Sequence, residues 1–203
     1  KEELAPASDR SASDSASLLA MVELELDTVR RFSSHMSPEI ASQVIDRLSG
    51  PETKYVLGQG LAQPLASLLS LSLQNLGFPA QAPPADPLGL ASISSSFDKG
   101  CGVVAISLGE TSPQIAKMLC LADERGAWTL ALSDSPISRC AQVAQLALSC
   151  PACQEMPTAS LAPIALLIDA ILQCVAKRAA DQVALQRQRV ATAQAYITSQ
   201  NER

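Results

Sequence analysis

Apolar residues first fall into register at Leu18, Leu19, Val22, Leu26 and Val29, the three-and-four spacing of one helix face. A second amphipathic run carries Ile40, Val44, Ile45 and Leu48. Ser37-Pro38-Glu39 opens it, with a capping serine and proline at the first helical position, and Gly50-Pro51 stops it. The pattern then changes to short continuous apolar runs alternating with helical stretches. Lys54 to Leu57 reads as a strand ended by Gly58-Gln59-Gly60, followed by a helix from Leu61 to Leu76 that Gly77 caps. Phe78 to Ala82 is a second strand. Pro83, Pro84 and Pro87 mark a loop, and a short helix lies within Leu88 to Ser95. The remaining strands are Val103 to Ile106, Trp128 to Ser133 and Leu146 to Ser149. Between them fall a helix from Pro113 to Arg125, stopped by Gly126, and a helical turn from Ser138 to Ala144. After a loop from Cys150 to Thr158, a helix apolar nearly all round runs to Val175 and continues, more polar, toward Ser199.

Strands made of unbroken apolar runs and separated by helices predict a parallel sheet covered on both faces. The fold class is α/β, a doubly wound five-stranded parallel sheet of the flavodoxin-like order with N-terminal helices and a long C-terminal helix. The expected divisions are a linker at 1–16, a helical segment at 17–50, the sheet domain at 51–178 and a helical extension at 179–203. With 47% hydrophobic but only 3% aromatic residues, the core must be built from Leu, Ala, Val and Ile. A net charge of −5, with no basic run, argues against this chain gripping DNA by itself. The longest apolar run, Leu161 to Ile168, is broken by Pro163 and too short to span a bilayer. A soluble, cytoplasmic protein without membrane contact is expected.

The candidate chemistry lies at the ends of the first and third strands. In doubly wound sheets a ligand sits outside the carboxyl ends of the strands, where the winding reverses. Gly58-Gln59-Gly60 follows the first strand, and Ser107-Leu108-Gly109-Glu110-Thr111-Ser112 leads from the third into the helix at Pro113. Small residues there bring backbone N–H groups, hydroxyls and a helix N-terminus to one point, a seat for an anion and above all a phosphate.

Other candidates read more plainly. His35 is a loop histidine between two helices, and Asp86 caps the helix at Pro87. Glu110 either touches the ligand or is a solvated turn carboxylate. Glu124, Glu155 and Asp169 carry no pattern of a general base, so no catalytic residue is assigned. Asp169, inside the apolar run of the long helix, is expected to be buried with a hydrogen-bond partner or at a dimer contact. That helix, apolar on more than one side, predicts a homodimer through it or through the N-terminal pair. Of six cysteines, Cys101, Cys120, Cys140, Cys150 and Cys174 lie in or beside apolar segments and are expected as buried thiols. Cys150-Pro151-Ala152-Cys153, with one histidine in the chain, cannot close a four-ligand zinc site, so neither metal nor cofactor is expected.

These residues also carry a family likeness. Val56-Leu57-Gly58-Gln59-Gly60, Ile106-Ser107-Leu108-Gly109-Glu110-Thr111, Gly126-Ala127-Trp128-Thr129-Leu130, and Ser133 followed by Ser138 and Ala144 resemble the SIS (sugar isomerase) domain. The likeness runs from Tyr55 to Val175. The helices from Ser17 to Leu48 resemble the segment that follows the helix-turn-helix in RpiR/MurR-family regulators. The resemblance implies an effector-binding, dimerising domain, as a homodimer or dimer of dimers, that senses a phosphorylated sugar or amino sugar. DNA would be met only through an N-terminal domain outside this chain. A phosphosugar isomerase, or a scaffold that only dimerises, is the alternative. The ligand residues it implies are Gly58, Gln59, Gly60, Ser107, Gly109, Glu110, Thr111, Ser112, Ser133 and Ser138. Ala62 stands where the family usually has a hydroxyl residue, and in Ser107-Leu108-Gly109-Glu110-Thr111 one usual serine is lost or the turn is one residue shorter. Two lost contacts of roughly 0.5–1.5 kcal/mol each weaken such a site tenfold or more without deleting it.

Overall fold

The computed structural model describes residues 7–109, 113–151 and 160–200, and it places five strands in one all-parallel sheet. Helices α1 (Ala7–His35) and α2 (Pro38–Leu48) precede β1 (Thr53–Gly58), α3 (Ala62–Asn75) and β2 (Ala80–Gln81). Then come α4 (Pro87–Ser94), β3 (Cys101–Ser107), α5 (Pro113–Glu124), β4 (Trp128–Ser133), α6 (Arg139–Val143) and β5 (Leu146–Ser149). Helices α7 (Ala162–Arg178) and α8 (Ala180–Gln200) close the chain. The strand order β2-β1-β3-β4-β5 is the doubly wound order expected, with the winding reversing between β1 and β3.

The central strands β1, β3 and β4 are buried on both faces, so alternate residues feed two separate cores. Val56, Val104, Ile106, Leu130, Leu132 and Leu148 pack with Val44 and Leu48 of α2, Leu65, Leu69 and Leu73 of α3, and Ile164, Ile168 and Val175 of α7. Tyr55, Leu57, Val103, Ala105 and Ala131 face the other way, against Leu90 of α4, Ile115 and Leu119 of α5 and Cys140 of α6. Helix α1 lies against α7, with Phe32 packed on the first of these cores.

The capping signals act as read. Ser37 Oγ accepts the N–H of Ile40 at 3.3 Å, and Asp86 Oδ1 accepts those of Leu88 and Gly89 at 2.9 Å each. Other expectations need correction. Helix α1 extends back to Ala7, ahead of the expected start at Ser17. The long C-terminal helix is two, divided at the expected start of the extension: the backbone of Ala179 leaves the helical region (φ −111°, ψ 40°), although no glycine or proline marks the place. Asp169 is exposed, within 3.4 Å of the Gln173 amide, and is not a buried carboxylate. Helix α7 buries only the stripe from Pro163 and Ile164 to Val175, leaving Leu166 half exposed. Cys120 and Cys174 point outward as well, so only Cys101, Cys140 and Cys150 of the five are buried thiols.

Candidate functional site

At the carboxyl rim Gly58 stands beside Ile106, Ser107 beside Ser133, and Ser133 beside Ser149. The turns that leave β1 and β3 are therefore neighbours. Gly60 in the first has φ +59°, and Gly109 in the second has φ +65°. Both are left-handed conformations that glycine adopts without strain. A Cβ placed on either would meet nothing within 4 Å among the described residues, so both turns border open space there. Gly58 has a different task. A Cβ there would fall 2.5 Å from the carbonyl oxygen of Ala62, so its lack of a side chain lets α3 pack onto β1.

Two loops are tied together across this rim. Asp134 donates its N–H to the carbonyl of Ser107 at 3.2 Å, and its Oδ2 accepts the N–H of Gly109 at 2.7 Å. Asp134 Oδ1 is buried without a partner among the described residues, as are the Oε1 atoms of Gln59 and Gln63. The Gln63 amide nitrogen donates to the carbonyl of Pro83 at 3.4 Å. A buried acceptor without a donor costs about 1–3 kcal/mol, a deficit that a donor-bearing ligand or water relieves.

The serines of the rim are engaged within the protein. The Ser133 hydroxyl accepts the N–H of Ser135 at 3.1 Å and lies 2.8 Å from the Ser138 hydroxyl and 3.0 Å from the Ser135 carbonyl. Ser138 Oγ accepts the N–H of Ala141 at 3.2 Å and so caps α6. Ser107 bonds the thiol of Cys140, whose pKa burial raises against the lowering effect of that bond. Glu110, Thr111, Ser112, Cys153 and Glu155 lie outside the described residues, as does the side chain of His35.

The other candidate carboxylates do not converge. Glu124 ends α5 at the far rim, Asp169 is on the exposed side of α7, and Asp86 is a helix cap. Burial, and then the charge of Glu25, push the Cys150 thiol up to about 11, which keeps it protonated and unreactive near neutral pH. Among the described residues no group of three His, Cys, Asp or Glu side chains could hold a metal ion. None of their helices is long and apolar enough to cross a membrane.

The amino rim offers a shallow groove of about 340 Å³, lined by Gln43, Asp46, Arg47, Gln145 and Leu146. Beneath it the Arg47 guanidinium sits 6.0 Å from the Trp128 ring. Asp134 and Gln63 escaped the sequence reading. The only hint was that Asp134 directly follows a strand paired in register with β3.

A five-stranded, all-parallel α/β sheet in this order, with its glycine turns meeting at the switch point, matches the sugar isomerase fold of solved structures. No family model matches the chain, and no curated protein does either. Solved structures match well. The sugar isomerase domain of an RpiR transcription factor from Sphaerobacter thermophilus is 18% identical, with TM-score 0.81, over 86% of this chain and 97% of that one. NanR of Vibrio vulnificus, complexed with ManNAc-6P, is 16% identical with TM-score 0.74, over 85% and 66% respectively. Phosphoheptose isomerase GmhA of Neisseria gonorrhoeae is 17% identical with TM-score 0.64, over 79% and 98%. Regulators and enzymes thus share this fold, and the fold does not choose between them.

Proposed function

We propose that this chain is the effector-binding and dimerising part of a transcriptional regulator, and that its effector is a phosphorylated sugar or amino sugar. The observation that carries the reading is the pair Gly60 and Gly109, two left-handed turns on adjacent strands, both open to space at the point where the winding reverses. Successive amide N–H groups at such turns make a concavity for an anion, and the topology puts ligands there. The likeness to a transcription factor and to a regulator complexed with ManNAc-6P supports the same reading. Asp134 favours binding over turnover. A general base must reach the substrate's proton, and this carboxylate is already an acceptor inside the turn. With a net charge of −5, the chain would leave DNA contact to a separate domain.

A melting screen against phosphorylated sugars and amino sugars, ManNAc-6P among them, tests the reading. A true effector at 100 times its Kd should stabilise the fold by about 2.7 kcal/mol. No shift with any of them would reduce the domain to a dimerising scaffold. Conversion of a bound aldose phosphate to its ketose, followed by NMR, would make it an isomerase instead.

A further inference from the structure

Two of the thiols form a pair that the proposed function leaves unused. Cys120 is exposed on α5, Cys140 is buried on α6 at 1% exposure, and the two helices pack against each other. Cys120 is on the side of α5 that faces α6. Asp123, less than one turn further along on that side, accepts the amide N–H of Gln145, just past the end of α6, at 2.6 Å. The two sulfurs feel each other. Burial raises the pKa of Cys140, the Ser107 bond opposes the rise, and the charge of Cys120 adds to it.

Cys140 is also joined to the ligand rim. Its sulfur is held by the hydroxyl of Ser107, which is 2% exposed and ends β3 at the head of the Gly109 turn. Asp134 closes the same corner, donating to the Ser107 carbonyl and accepting from the Gly109 N–H. Helix α6 is short, and its start is fixed by the Ser138 hydroxyl.

We propose that Cys120 and Cys140 are a peroxide-sensitive pair whose oxidation to a disulfide releases Ser107 and loosens the Gly109 turn. The exposed Cys120 sulfur attacks a peroxide, the O–O bond breaks, one water leaves and a sulfenic acid remains. The Cys140 sulfur then attacks Cys120 Sγ, an S–S bond replaces the S–O bond, and a second water carries off the Cys140 proton. Two thiols and one hydrogen peroxide become one disulfide and two waters, with two electrons passing from sulfur to oxygen. The bond needs the two Cβ atoms about 3.5–4.5 Å apart, which draws the short α6 toward α5 and Cys140 away from Ser107. A hydroxyl buried at the rim then loses its partner. The pair belongs to α5 and α6 whatever the rim binds, and only the consequence for an effector rests on the function proposed above.

Treating the whole chain with hydrogen peroxide at low protein concentration, then mapping its peptides without reductant, tests the pair. A linked Cys120–Cys140 peptide should form, disappear with dithiothreitol and be absent from Cys120→Ser, whose exposed position leaves the fold intact, as a thermal melt verifies. In the linked form the Gly109 and Asp134 amides, followed by NMR, should exchange hydrogen about fivefold faster, the loss of one hydrogen bond. C120S under peroxide should show no such change. Cys140 recovered as a free thiol after Cys120 has oxidised overturns the pair. A linked peptide with unaltered exchange at Gly109 overturns its control of the rim. A reduced chain that answers to no sugar phosphate overturns the effector reading alone and leaves the pair standing.

Discussion

The two rims of the sheet use the same residue type for opposite ends. At the carboxyl rim Gly60 and Gly109 face open space, and their backbones adopt a left-handed turn. At the amino rim Gly102 is filled over: a Cβ there would fall 2.1 Å from the Trp128 ring. That ring is buried in turn under Arg47. Beside it Thr129 Oγ1 accepts the N–H of Gln145 at 2.9 Å, and the Gln145 amide donates to Asp123 at 2.6 Å. One rim is sealed by side chains, and the other is left bare. The bare one is where a ligand can reach the backbone.

Substituting glycine on both rims should separate these roles. Gly102→Ala forces the Trp128 ring and the neighbouring strand apart, and urea melts should show a loss of about 3 kcal/mol. Gly109→Ala meets no neighbour among the described residues, so the left-handed backbone is what penalises it, by about 1 kcal/mol. Its methyl group would project into the proposed ligand space and should lower sugar-phosphate affinity, which Gly102→Ala should leave unchanged. Equal costs for the two changes would break the contrast.

Lys54 sharpens it from the sealed side. It is fully buried near the start of β1, its ammonium group bonded to the carbonyl of Gly50 and 5.3 Å from the Phe78 ring. Burial lowers its pKa to about 8, and the charge of Glu52 opposes the shift. Below about pH 8 both folded and unfolded chains carry this proton, and the penalty for the buried charge is present in full. Between about 8 and about 10.5 the unfolded chain holds the proton more tightly, so this group's contribution to stability rises with pH. The slope approaches ~1.4 kcal/mol per pH unit within that window. The buried thiols Cys101, Cys140 and Cys150 are raised by burial and act in the other direction above about pH 9. Comparing the native chain with Lys54→Met across pH 7 to 10.5 cancels the thiols. The native chain should gain on the variant as pH rises, and a flat difference would refute the shift.

The smallest expected effect concerns Asp134. Asp134→Asn keeps an oxygen for the Gly109 N–H while removing a negative charge from the edge of the proposed anion seat. Stability should change by less than about 1 kcal/mol. Affinity for a sugar phosphate, measured by calorimetry, should rise several-fold. Weaker binding by this variant would mean that the carboxylate holds the ligand instead of competing with it.

Strands β1, β3, β4 and β5 were legible because each is a mostly apolar run closed by glycine or serine, and the switch point follows from their order; β2, expected over Phe78 to Ala82, shrinks to Ala80–Gln81. The two open glycine turns were legible for the same reason. Asp134 was not, because its bond to Gly109 joins residues 25 apart in sequence, and only the register of β3 with β4 brings them together. Ser133 and Ser138 read as ligand hydroxyls, but the β4–α6 loop takes both for its own hydrogen bonds. Composition misled most on α7. A helix of Leu, Ile and Ala looks buried all round, yet the sheet covers one stripe and turns Leu166, Asp169 and Cys174 outward. Ala179 carries no breaker, so the change from apolar to polar sequence marked where the extension begins at 179 but not that the helix itself breaks there.

Helix α3 has one end beside the Gly60 turn and the other at Gly77, where the Gln182 amide donates to the Gly77 carbonyl at 3.1 Å and Gln186 packs close. Its 14 residues make a stiff rod about 21 Å long. The rod therefore joins the open glycine turn at one end directly to the root of α8 at the other.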